Sequence, residues 1–159
     1  MGCFNCYKNP ELSIGKCPLK DDMAGILEEY LKADAYIYAS PSYDMSITAL
    51  IKMFIERKIA LTYKTEKHAG KFPIPRPGVA VNFTKKASII IVGNSADEYE
   101  EVMGDPCYEA VETDLIWEQI DTLDKLYVGG MESITQQAFS ERLEKVFRMG
   151  EHLVEEIEK

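Results

Sequence analysis

Apolar residues recur at three- and four-residue spacing over 23–31, where Met23, Ile26, Leu27, Tyr30 and Leu31 fall on one side of a helix that should end near Lys32. Asp21 and Asp22 stand before it as candidate caps. Next comes a short continuous apolar run, Ala35, Tyr36, Ile37, Tyr38 and Ala39, stopped by Pro41. A run without alternation reads as a buried parallel strand. A helix over 48–61, capped by Ser46 or Thr48, follows with Leu50, Ile51, Phe54, Ile55 and Ile59. These residues spread over too many sides for a helix buried on one side only, so one side is expected to meet another subunit.

Three of the seven prolines and two glycines fall in 64–78, which makes that stretch a loop. Ile89, Ile90, Ile91 and Val92 form a second buried strand, Gly93 and Asn94 a turn, and Ser95 a cap ahead of acidic residues. A helix is expected over 108–120, a short strand over 125–130, and a final helix over 140–157. Leu143, Val146, Phe147, Gly150, Val154 and Ile157 make one stripe on that final helix, with Gly150 placed for close approach to the sheet. Strands alternating with helices predict a single α/β domain over 1–159, its parallel sheet covered by helices on both faces. Ligands in such folds bind at the carboxyl ends of the strands, which selects the loops 40–46, 93–96 and 129–133.

The 159 residues, 46% hydrophobic and 28% charged, suit one packed domain. With 27 acidic against 18 basic residues the net charge is −9, which disfavours nucleic acid and anionic lipid as partners. No stretch reaches the roughly 20 apolar residues of a membrane span, and no basic-then-apolar leader opens the chain, so a cytoplasmic location is expected. Reduced cysteines belong with that location.

Candidate side-chain chemistry is sparse. Cys3 and Cys6 form a Cys-x-x-Cys pair in the 1–20 segment, ten residues separate Cys6 from Cys17, and Cys107 lies far away. Such a pair is compatible with metal, redox and inherited structural roles alike. His68, in the proline-rich loop, and His152, on the last helix, have no Cys or Asp at triad or metal spacing and read as solvated. Trp117 reads as packing, and the glutamates at 98–101 and 155–158 as solvated helix faces. No set of nucleophile, base and orienting group is found, which fits chemistry carried by a cofactor.

The order C-x-x-C, then G-K-C-x-x-K-D-D-M, A-D-A-Y-I-Y-A-S-P-S-Y and S-I-T-A-L-I-K-M-F-I-E-R resembles the flavodoxin-like NADPH-dependent FMN reductases, a family that includes the iron-sulfur flavoproteins. Positions 3–57 carry the resemblance, and beyond 64 it rests on the order of elements. It implies a flavodoxin-like sheet lacking the family's first strand, helix and second strand, the part that cradles the FMN phosphate. It also implies an oxidoreductase passing electrons from NAD(P)H through FMN to a flavin, quinone or other small acceptor. The flavin-binding residues so implied are Ser40, Pro41, Ser42, Tyr43, Asp44, Met45 and Ser46, with Gly93, Asn94 and Ser95 as a second wall. Cys3, Cys6 and Cys17 would be the ligands of an iron-sulfur cluster, but the third cysteine of the family's compact run is absent after Cys6, so no metal site is assigned. A sheet opened at the strand over 35–40 predicts a homo-oligomer through that edge or through the helix over 48–61. The alternative reading is a cofactor-free remnant that binds partners.

Overall fold

The computed structural model describes residues 19–62 and 85–159. Cys3, Cys6, Cys17, His68 and the proline-rich loop lie outside the described residues. Helix α1 (Met23–Lys32) leads into strand β1 (Ala35–Pro41) and helix α2 (Ala49–Thr62). After strand β2 (Lys86–Val92) come a 3-10 turn (Asp97–Tyr99), the short helix α3 (Glu100–Met103) and helix α4 (Asp105–Glu118). Strand β3 (Asp121–Val128), a second 3-10 turn (Met131–Ser133) and helix α5 (Gln136–Ile157) complete the order. The sheet is parallel in the order β1-β2-β3, with Tyr38 beside Ile89 and Ile89 beside Lys125.

This is the expected α/β arrangement, with α1, α2 and α4 on one face and α5 on the other. Tyr36, Tyr38, Ala87, Ile89 and Ile91 pack with Cys107, Tyr108, Val111 and Leu115 of α4 into the main core. Met23, Leu27 and Leu61 form a smaller cluster where α1 meets α2.

Several expected boundaries move, each for a local reason. β1 is not buried on both faces: Tyr36, Tyr38 and Ser40 are buried, whereas Ile37 and Ala39 are exposed on the α5 side. Asp21 rather than Asp22 holds the α1 start, accepting the Met23 amide at 3.1 Å and pairing with Arg57 at 2.9 Å. α4 opens at Asp105 because Pro106 suits a first helical turn, and it ends where Gln119 adopts φ 61°. β3 starts four residues early, since its pairing with β2 outweighs the polar character of Asp121, Thr122 and Asp124. α5 starts at Gln136, where the Thr135 hydroxyl accepts the Ala138 amide at 3.2 Å. Ser95 is no cap; its carbonyl is used between loops. Gly150 approaches nothing, for no atom lies within 4 Å of where its Cβ would stand. Trp117 is exposed at 45%, so it does not pack into the core. Among the described residues, no helix is long and apolar enough to cross a membrane.

His152 has a partner that sequence distance hid: its Nδ1 lies 2.7 Å from Asp124 on β3. The Asp124 hydrogen bond raises the His152 pKa above its ordinary value of 6.5. The pair therefore stabilises the fold fully below pH 6.5 and loses that contribution as pH rises through the raised value. His152→Gln should flatten this part of a thermal-unfolding series against pH and leave the acid side of the series in place.

Candidate functional site

β1 delivers its carboxyl end into the loop 40–46. Ser42 donates its amide to the Val92 carbonyl at 2.8 Å and its hydroxyl to the Met103 carbonyl at 2.8 Å, tying the loop to β2 and to α3. The Ser40 hydroxyl accepts the Thr48 amide at 3.1 Å, just ahead of α2. These two serines therefore face inward and shape the loop. Tyr43 and Ser46 exchange backbone hydrogen bonds at 3.0 and 3.1 Å around Asp44 and Met45, whose φ angles are 51° and 56°. Two consecutive non-glycine residues in the left-handed region store strain in this turn. Its outer surface carries the Tyr43 ring, 68% exposed, and the Met45 thioether. Among the described residues, nothing accepts a hydrogen bond from the Asp44 or Met45 amide.

The loops after β2 and β3 close onto each other. Gly93 donates to the Val128 carbonyl at 2.9 Å, Gly130 to the Ser95 carbonyl at 2.9 Å, and Gly129 to Asp97 Oδ1 at 2.8 Å. Arg142 of α5 locks Asp97 at 2.6 Å. Burial would raise the Asp97 pKa, but the Arg142 and Gly129 hydrogen bonds hold it below its ordinary value. Both glycines are required by close approach: a Cβ on Gly93 would lie 2.3 Å from the Tyr127 hydroxyl, and one on Gly129 2.3 Å from the Ser95 carbonyl oxygen. The space over Gly93 is thus taken by Tyr127, while Asn94 stays exposed at the rim. Cys107 is buried beneath the loop 40–46, its Sγ 3.6 Å from the Ser42 hydroxyl, and burial pushes its thiol pKa up. It is far from thiolate character. Among the described residues, no three His, Cys, Asp or Glu side chains gather to hold a metal ion.

The largest concentration of charge lies elsewhere, near the amino ends of the strands. Lys58 of α2 is fully buried, its Nζ 2.9 Å from Glu118 and 2.6 Å from Asp114, both on α4. It donates to the Tyr38 and Tyr30 hydroxyls at 2.8 and 3.0 Å, and Tyr30 donates to Glu118. The Asp114 contact is an ion pair without hydrogen-bond alignment, and Glu118 Oε1 has no partner. Burial opposes the Lys58 charge, but Tyr38, Glu118 and Asp114 outweigh it and raise its pKa. Burial raises both carboxyls as well, because one ammonium serves two acids. Sequence reading missed this cluster. Its signal was Asp114 and Glu118 at four-residue spacing on a buried helix, with Lys58 inside an apolar one.

Residues 3–75, which include β1, the loop 40–46 and α2, match the family model described as NADPH-dependent FMN reductase. An iron-sulfur flavoprotein of Clostridioides difficile is 38% identical over 58 residues, 36% of this chain and 24% of that protein. One from Archaeoglobus fulgidus is 36% identical over 56 residues, 35% of this chain and 25% of that protein. The match thus spans about a quarter of each curated relative. A Klebsiella pneumoniae crystal structure described as a quinone reductase superposes with a TM-score of 0.56 at 18% identity, covering 77% of this chain and 51% of that one. That likeness concerns the fold.

Proposed function

We propose that this chain, whose residues 3–75 match the NADPH-dependent FMN reductase family model, binds a flavin at the carboxyl end of β1 and takes part in NAD(P)H-dependent electron transfer to a small acceptor. The loop 40–46 carries the reading. It lies inside the matched segment and presents a free aromatic ring, a thioether and two unpaired amides on one strained turn. A flat, mostly apolar ring with acceptor atoms at its edge fits that set. Bound FMN would supply the hydride and electron chemistry. The chain's own part is positioning: Tyr43 and Met45 cover a ring face, while the Asp44 and Met45 amides donate to ring acceptors and favour added negative charge there. Ser40 and Ser42 hold the turn from behind. Gly93, Asn94 and Ser95 supply the second wall as a rigid rim, already braced by Tyr127 and by the loop after β3. No cluster role is proposed for Cys3, Cys6 and Cys17, which lie outside the described residues.

Titrating the 159-residue chain with FMN should quench flavin fluorescence saturably. Tyr43→Ala should weaken that binding by roughly two- to twelvefold, the worth of one aromatic contact, without changing far-UV circular dichroism. NADPH oxidation by the loaded protein should then track flavin occupancy. No saturable binding at millimolar FMN would overturn the reading and favour a cofactor-free protein that acts through its partners.

A further inference from the structure

We infer that Arg142 of α5 is a positioning residue for the flavin site proposed above: it holds the Asp97 carboxylate in place, and through it the wall formed by Gly93, Asn94 and Ser95. The inference rests on the flavin reading. It gives a part in that site to a helix outside the matched residues 3–75.

The wall is fixed from the loop after β3. Three consecutive amides of that loop point back to it: Gly129 donates to Asp97 Oδ1 at 2.8 Å, Gly130 to the Ser95 carbonyl at 2.9 Å and Met131 to the Gly93 carbonyl at 3.3 Å. The Tyr127 hydroxyl donates a further bond to the Ser95 carbonyl at 3.1 Å. Three of these four bonds end on backbone carbonyls, which the path of the chain itself places. The Gly129 bond ends on a side chain instead, and the Asp97 side chain is 48% exposed. Left to itself, such a carboxylate gains rotamer freedom by turning into water, and the Gly129 amide then loses its acceptor.

Arg142 removes that freedom. Its Nη1 donates to Asp97 Oδ2 at 2.6 Å, so the two carboxylate oxygens are divided between α5 and the loop after β3. Both bonds are charge-assisted and therefore stronger than bonds between neutral groups. The Arg142 side chain is only 19% exposed, so packing along its stem already restricts it before it pairs. Against the burial that raises the Asp97 pKa, the bonds from Arg142 and Gly129 and the charge of nearby Lys145 lower it, which keeps the carboxylate ionised for this contact. The helix is a firm base. Thr135 caps its start, Leu153 is buried, and the whole element packs on β2 and β3.

Titrations of the full chain with FMN and with lumiflavin, the same ring without the phosphate-bearing side chain, test this. A residue that acts through the wall affects both ligands alike, whereas one that touches the phosphate affects FMN alone. Arg142→Met should raise both dissociation constants about three- to tenfold with unchanged far-UV circular dichroism. Arg142→Lys, which keeps a charged donor for a contact made through one nitrogen, should stay within about threefold of the parent. Asp97→Asn should match Arg142→Met, and the double variant should bind no more weakly than either single one, because the two groups act as a unit. The Asp97→Asn result decides by itself should Arg142→Met fail to fold. Binding within about 1.5-fold of the parent in both single variants, additive losses in the double variant, or a loss for FMN with lumiflavin unchanged overturns this inference alone, provided Tyr43→Ala still weakens binding. No saturable binding of either ligand by the parent overturns the flavin reading and this inference with it.

Discussion

Lys58→Met should destabilise the fold by about 3–5 kcal/mol, the cost of removing one partner from a buried ion cluster. In a chain of 159 residues that is a fall in Tm of roughly 6–20 °C. The mechanism is specific. Methionine keeps most of the volume, so packing changes little, but Glu118 and Asp114 are left buried without a counter-charge and the Tyr38 hydroxyl without its donor. Adding Asp114→Asn and Glu118→Gln removes the stranded charges and should recover more than half of the loss. The pH response separates the groups. Lys58 has a raised pKa, so its contribution is fully present below its ordinary value of 10.5 and is lost as pH climbs through the folded value. The alkaline loss should vanish in Lys58→Met. Asp114 and Glu118 are raised from 3.8 and 4.5, so their contribution is present below those values and is lost as pH rises through the folded ones. A Lys58→Met cost below about 1 kcal/mol would mean that the cluster is not ionised as drawn.

That cluster also marks where sequence reading stopped. Hydrophobic periodicity located α1, β1, α2 and β2 to within a few residues, because each apolar run there coincides with a buried face. It failed on β3, where four of the first six residues, Asp121, Thr122, Asp124 and Lys125, are polar, and on the α5 start, where a Thr135 cap sits ahead of polar Gln136 and Gln137. The loop 40–46 was legible as a strand-to-helix turn in a ligand-binding place. Its left-handed pair was not, since Asp44 and Met45 carry no glycine to announce φ above zero. The roles of Gly93 and Gly129 were also hidden, because what approaches them comes from 32 or more residues away, as in the Tyr127 hydroxyl's bond to Ser95.

Those glycines carry the other large effect. Gly129→Ala should cost about 3 kcal/mol, the upper part of the usual range for overpacking, because its Cβ would meet the backbone of Ser95, Ala96 and Asp97 at 2.3, 2.7 and 2.8 Å. No side-chain change can relieve a clash with backbone. Gly93→Ala meets the Tyr127 hydroxyl at 2.3 Å and its ring carbon at 3.0 Å, so pairing it with Tyr127→Phe should recover about 1 kcal/mol while leaving a residual cost. Chemical denaturation of the three variants checks the contrast. A Gly129→Ala protein as stable as the parent would mean that the loops after β2 and β3 do not interlock as described. The same variants discriminate within the flavin site. Tyr43→Ala should lower FMN affinity at constant stability because its ring is solvent-facing. Gly129→Ala should lower both, since spreading the two loops displaces the Gly93, Asn94 and Ser95 rim. FMN affinity unmoved by Gly129→Ala would confine the site to the turn after β1.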